Sequence, residues 1–285
     1  MVSAAERARY CGRPGNHIFY SNISYLHGFA WALKCPKPLS LRRAFCYYFG
    51  IGIGRRRQVT AGAILSMTTY SLDEVTCSVC GTASEHRVLM STNAFGSPDL
   101  DLRPPKMQRS TMSSWLQECP NCGFVSSDLG EVEKGIEEIL ASEPFTSLHR
   151  GALAGSLIGR FLKRSLVDEE LGNTEMAAKH ALRAAWAADD ADDRSAVEYR
   201  SKAADLFLAA ASAMPTGSEE WTAMRTRTID ILRRARRWDE AVDLADALLA
   251  KHDLDATIRS VVEFERRLAQ AGEQSRYTIE DAISG

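Results

Sequence analysis

Cys77-Ser-Val-Cys80-Gly81 and Cys119-Pro-Asn-Cys122-Gly123 are two copies of one five-residue pattern, separated by residues 82–118. Each C-x-x-C turn presents two thiolates, and the glycine that follows takes the positive φ such a turn needs without a Cβ penalty. Two turns supply four sulfurs, a complete tetrahedral set for Zn²⁺. Cys77, Cys80, Cys119 and Cys122 are therefore read as ligands of a structural metal ion. Iron is the alternative, because tetrahedral S₄ geometry of the rubredoxin kind does not separate the two metals. A closed tetrathiolate has no position for a reacting water, whereas hydrolytic zinc keeps one. The pattern predicts a small zinc-ribbon or rubredoxin-like module that a metal, not a large core, holds together.

That module is placed at residues 67–127. His86-Arg-Val-Leu-Met-Ser91 reads as a short strand after the first knuckle, and Ser113-Ser-Trp-Leu-Gln-Glu118 as another that delivers the second. Between them Asn93–Pro105 is loop-like. If Asp99–Arg103 is extended, Asp99, Asp101 and Arg103 share one face and Leu100 and Leu102 the other. Two carboxylates and a guanidinium there would make a ligand-recognition loop, and an enzyme reading would place its chemistry on them. The preferred reading is an ion pair of Arg103 that holds a surface loop, since exposed pairs are common and weak. His86 is a surface histidine, because four cysteines already complete the metal set. The zinc-deaminase pattern is excluded: Pro120 lies inside the second pair, and no H-x-E precedes it.

From residue 128 to 285 strand signals give way to helical ones. A first helix is expected over Glu131–Ala141, stopped before Pro144. Leu153, Leu157, Ile158, Phe161, Leu162 and Leu166 form an apolar stripe at helical spacing. Gly172 then ends that helix and Asn173 caps the next. Gly172, Ala177, Ala181 and Ala184 follow the small-residue spacing of a tetratricopeptide second helix, and Ala241, Ala245 and Leu248 after Trp238 repeat it without the glycine. Ala203, Phe207 and Ala210 are a weaker third instance. The array is thus expected to be degenerate antiparallel helical hairpins, with an alanine-rich helical bundle as the plainer alternative. Thr216-Gly-Ser-Glu219 reads as a capping box. Arg233-Arg-Ala-Arg-Arg237 reads as cations on a helix C-terminus and a solvated face. Tyr277 and Ile279, in the segment 274–285, have the apolar character to fold back on the array.

Composition divides the 285 residues sharply. Residues 1–66 carry ten Lys/Arg against Glu6 alone, while the whole chain has 35 Lys/Arg and 37 Asp/Glu. The first segment lacks a sustained helical or strand period, and it is too apolar and cysteine-rich for an ordinary disordered arm. It is expected to stand outside the fold and the functional protein, with Met67 as the true start of translation; a transit peptide or a basic arm through Arg55–Arg57 are the alternatives. Gly50-Ile-Gly52-Ile-Gly54 is not a dinucleotide fingerprint. No apolar run is long enough to span a bilayer. Seven cysteines, four of them in the knuckles, argue against a secreted disulfide framework and for a reducing cytoplasm. Acids outnumber bases in the helical half, which argues on charge against a nucleic-acid groove.

Cys77-Ser-Val-Cys-Gly81, Asp99-Leu-Asp-Leu-Arg-Pro-Pro105, Cys119-Pro-Asn-Cys-Gly-Phe124 and Ala181-Leu-Arg-Ala-Ala-Trp186 together resemble an uncharacterised bacterial protein family. Its members pair a split two-knuckle zinc module with a tetratricopeptide-like helical tail. The resemblance spans Met67 to Leu268 and implies an architecture and a metal, not an activity. The expectation is an α+β, mainly α, cytoplasmic zinc protein. Its helical array would take a protein or peptide partner without catalysis, the metal-adjacent enzyme and the rubredoxin-like electron carrier being the alternatives.

Overall fold

The computed structural model describes residues 68–284. The readings made for residues 1–66, and the start at Met67, lie outside the described residues. Strands β1 (Thr69–Thr76) and β2 (Ala83–Ser91) form an antiparallel hairpin whose tip is the first knuckle. Cys77 N–H donates to Thr82 O at 2.9 Å and Gly81 N–H to Cys77 O at 2.9 Å, with Gly81 at φ 71°. The second knuckle repeats this at the tip of β3 (Gln117–Glu118) and β4 (Val125–Ser126): Cys119 N–H donates to Phe124 O at 2.8 Å, Gly123 N–H to Cys119 O at 3.0 Å, and Gly123 has φ 73°.

One strand went unread and one strand reading needs correction. The largely polar β1 pairs along its length with β2, which holds the expected His86–Ser91 strand and begins three residues earlier at Ala83, and Arg87 is stacked 4.0 Å over the Tyr70 ring. Ser113–Glu118 is not a strand until Gln117. Met112–Ser114 is a 3₁₀ turn, because Met112 and Leu116 are buried one helical turn apart and Trp115 Nε1 donates to Thr111 Oγ1 at 2.8 Å. Between β2 and this turn lies a single helical turn, α1 (Lys106–Arg109).

The helical half begins later than expected. Helix α2 spans Ile136–Ala141, not Glu131–Ala141, because Ser78 of the first knuckle takes Leu129 O at its N–H (2.8 Å) and Glu131 O at its hydroxyl (2.8 Å). Pro144 does not merely end a helix. It lies in the first turn of α3 (Glu143–Arg150), where a missing N–H costs nothing, and Ser142 caps that turn. Helix α4 (Leu157–Glu170) is capped by Ser156 and leaves Leu153 in the preceding turn. Asn173 sits at the cap position of α5 (Thr174–Asp190), but its side chain makes no cap bond; its N–H instead closes α4 on Asp168 O at 2.7 Å, with Gly172 at φ 77°.

Helices α5, α6 (Ala196–Ser212), α7 (Glu219–Arg234), α8 (Trp238–Leu249) and α9 (Ala256–Gln270) follow, each packed on the next. The cap of α7 is Ser218, whose hydroxyl accepts from Trp221 N–H at 3.1 Å, rather than Thr216. Ala177, Ala181, Ala184, Ala203, Ala241 and Ala245 are completely buried, the small residues that let these helices approach closely. The chain is mainly helical with two small hairpins. A short last helix, α10 (Ile279–Ser284), brings Tyr277 and Ile279 onto Phe264 and Leu268 of α9 and onto Leu100 of the insert.

Helix α4 joins the two halves through three cations. Arg160 donates to Ser113 O at 2.8 Å and pairs with Glu118, Lys163 pairs with the same carboxylate, and Arg164 donates to Val125 O at 3.1 Å and Glu133 at 2.7 Å. A second apolar cluster gathers Cys77, Cys119, Phe124, Leu129, Ile136, Phe145 and Val167 of α4 around the knuckles.

Candidate metal centre

The two hairpin tips meet so that Cys77, Cys80, Cys119 and Cys122 place all four Sγ atoms within 4.8 Å of one another. Cys77 Sγ lies 3.8 Å from Cys122 Sγ, and Cys80 Sγ 3.5 Å from Cys119 Sγ. A tetrahedron with metal–sulfur bonds of about 2.3 Å has edges of about 3.8 Å, so the spacing fits one tetrahedral ion. Cys77 and Cys119 are buried, Cys122 is half-buried and Cys80 is exposed. Burial pushes the Cys119 and Cys122 thiols up, whereas the Thr82 hydroxyl brings Cys80 down to about 6. A bound dication would replace those protons, since the thiolate is the ligand. Among the described residues no other group of three or more His, Cys, Asp or Glu side chains forms such a cluster. His86 stays apart on β2, its Nε2 2.8 Å from the Ser84 hydroxyl.

The second knuckle is backed by α3. A Cβ at Gly123 would clash with the His149 ring, 2.6 Å from its Cε1, so this glycine serves close approach as well as positive φ, whereas nothing lies within 4 Å of a Cβ at Gly81. His149 also lines an open cleft with Glu118, Cys119, Pro120 and Arg160. Its charged members are already paired there, Glu118 with both Arg160 and Lys163.

The second set of predicted site residues is not an exposed loop. Asp99–Arg103 is not extended: Asp99 N–H donates to Arg103 O at 3.0 Å, Leu102 N–H to Asp99 O at 2.9 Å, and Leu102 has φ 64°. Asp99, Asp101 and Arg103 are 6%, 0% and 2% exposed. The expected surface ion pair is thus an internal one, joined to partners the sequence reading missed. Asp101 accepts Trp186 Nε1–H at 2.8 Å, Arg234 at 3.2 Å and the Arg103 backbone N–H at 3.0 Å. Arg103 donates to Asp190 and to Trp186 O. Asp189 takes a two-pronged contact from Arg200 and a further one from Arg234 at 2.9 Å. Burial works against ionising Asp189, but Arg200, Arg234 and Arg103 overcome it and hold its carboxyl below the usual range.

Arg233 and Arg234 therefore do not face solvent as their cluster suggested; only the outer members, Arg236 and Arg237, make exposed contacts. The available signal was Asp230, isolated among Ile229, Ile231 and Leu232, a charge that an apolar run can bury only beside a cation such as Arg233. Asp99 is pushed up to about 6 by burial and by Asp101.

Geometry and donor set define a class: a mainly helical protein with a four-cysteine cluster able to hold a metal ion. Comparison with protein families, curated proteins and solved structures finds no match. Among the described residues no helix is long and apolar enough to cross a membrane.

Proposed function

We propose that this protein is a metal-stapled helical scaffold. Cys77, Cys80, Cys119 and Cys122 hold one structural Zn²⁺, and the array α5–α9 offers its surface to a protein or peptide partner without chemistry at the metal. The observation that carries this is the closed four-sulfur set, which fills a tetrahedral ion and leaves no position for substrate. The ion stands where a large core is missing, between two hairpins with only two-residue β3 and β4 on one side. Burial of Asp99, Asp101 and Arg103 favours scaffold over enzyme, since these groups are engaged inside the fold. Reduced thiols fit a cytoplasmic setting. The resemblance to bacterial proteins that join a knuckle module to a tetratricopeptide-like tail belongs to the same reading.

The test is elemental analysis of the full chain from its natural host, with melting measured before and after chelation. One zinc per chain and a large loss of melting temperature on chelation are expected. A stoichiometric iron, visible as colour, would replace the scaffold metal with an electron carrier. Metal-free protein of unchanged stability would overturn the reading.

A further inference from the structure

The insert 97–103 covers only part of the face that α5 and α7 share. These helices run parallel, because each is antiparallel to α6. Arg200 at the start of α6 meets Asp189 at the end of α5, and Arg237 just past α7 meets Ser201 in the N-terminal part of α6 and Asp205 at its middle. Near their C-termini α5 and α7 are joined through Asp189 and Arg234, and the Asp101 carboxylate reaches in from the insert to Arg234 and Trp186. Arg183 stands six residues before Asp189, and Arg227 seven before Arg234. At the helical rise Arg183 and Arg227 lie about 9 and about 10.5 Å further toward the N-termini, at nearly the same level. Arg227 is nearly two full turns from Arg234, and Arg183 the same from Asp190, which pairs with Arg103 of the insert. Both arginines thus keep the side that faces the insert.

Among the described residues neither has a carboxylate ion-pair partner, unlike Arg103, Arg200 and Arg234 beside them. Arg183 lies 5.3 Å over the Trp115 ring and donates to His180 Nε2 at 2.9 Å. The His180 Nδ1–H is taken by Asp168 at 2.7 Å, which leaves Nε2 as the acceptor that orients Arg183. Arg227 lies 5.3 Å over the Phe207 ring, with its Nε buried and unpartnered. Glu175, whose charge reaches Arg227, is itself engaged by Lys179 at 2.6 Å. Burial lowers the pKa of both guanidiniums, and the Arg227 charge contributes to bringing Arg183 down to about 10. Both side chains are half-buried, and their nearest carboxylates, Asp168 for Arg183 and Glu175 and Asp101 for Arg227, act on them without forming an ion pair, so a ligand carboxylate in direct contact would supply what these leave undone.

We propose that Arg183 and Arg227 form a subsite for the side-chain carboxylates of an acidic peptide segment, continuing along the array the contact that Asp101 makes from within the chain. A planar guanidinium on an aromatic face, with N–H groups to spare beyond the one Arg183 gives to His180, is the arrangement that takes a carboxylate. The inference rests on the scaffold reading and names the chemistry of its partner.

The experiment is selection of a random-peptide phage library on the full metal-loaded chain, followed by fluorescence anisotropy of the selected peptides. Peptides rich in Asp and Glu are expected, and Arg183→Gln and Arg227→Gln should each weaken them about tenfold or more. Arg236→Gln, at an exposed arginine that contacts Gln274, should leave affinity unchanged. Arg183→Lys keeps the charge and guards against a folding defect at the His180 contact, and melting of every variant is measured alongside. Selected peptides without acidic residues, or acidic ones indifferent to Arg183→Gln and Arg227→Gln, would overturn the subsite and leave the scaffold standing. Recovery of no peptide at all would remove both.

Discussion

Gly81 and Gly123 occupy the same place in the two knuckles, yet the residues around them make their substitutions unequal. Both hold positive φ, at 71° and 73°, so alanine at either costs about 1 kcal/mol in strain. At Gly123 the new methyl would also collide with the His149 ring, which must move out of α3. Gly123→Ala is therefore expected to lower the melting temperature well beyond Gly81→Ala; equal losses in a thermal melt would show that the ring yields freely. Glu265 offers a pH test at the same scale. Its carboxyl is fully buried, and neither oxygen has a hydrogen-bond partner. Burial, and then the Asp230 and Asp101 charges, push its pKa well above the ordinary value. A folded pKa above the unfolded one gives stability that is full below the unfolded value of about 4.3 and lost as pH rises through the folded one. Glu265→Gln removes that loss. The variant should thus gain on wild type between pH 5 and pH 8, while Asp230, also pushed up by burial, stays common to both proteins. A stability difference that does not change with pH would contradict this.

The insert shows at the scale of an element what the sequence made legible and what it hid. Asp99, Asp101 and Arg103 could be singled out by pattern, and the four knuckle cysteines by spacing. The partners of the insert could not be found that way, because Trp186, Asp189, Arg200 and Arg234 come from three helices far along the chain. Alanine periodicity disclosed α5 and α8, since buried small residues recur at helical spacing. It said nothing of β1, whose polar residues are held by pairing alone, nor of which arginines of Arg233–Arg237 turn inward. Within the insert, two aspartates differ in consequence. Asp101→Ala would leave the Trp186 indole without its buried acceptor and Arg234 with Asp189 alone, a loss of about 2–4 kcal/mol. Asp99 has a buried oxygen with no hydrogen bond and only a 3.7 Å pairing to Arg276. Asp99→Asn is accordingly expected to be neutral or stabilising at pH 8, where the wild-type carboxylate, raised to about 6, is ionised. Denaturant titration of both variants checks the order, and an Asp99→Asn protein as unstable as Asp101→Ala would refute it.

Across the whole molecule two different devices hold the helices, and they should fail separately. The knuckles reach the array through α4: Val167 shares their apolar cluster, and Arg160, Lys163 and Arg164 grip the second hairpin. The insert reaches α5, α6 and α7 through the Asp101–Asp189 network, which contains no metal ligand. With an ion held there as proposed, chelation would remove it and leave four thiols whose mutual attraction is weak, so the hairpin β3–β4 and the short helices α2 and α3 would lose what organises them. Local opening then follows the contacts that depended on them. Hydrogen exchange on the full chain, with and without chelator, should show amides of β3, β4, α2, α3 and the C-terminal half of α4 exposed first. Helices α7, α8 and α9 pack on one another and should stay protected. Uniform loss along the chain would mean that the metal secures a single cooperative unit, with the buried arginine–aspartate network unable to stand without it. Unchanged exchange in β3–β4 would deny the ion its structural part.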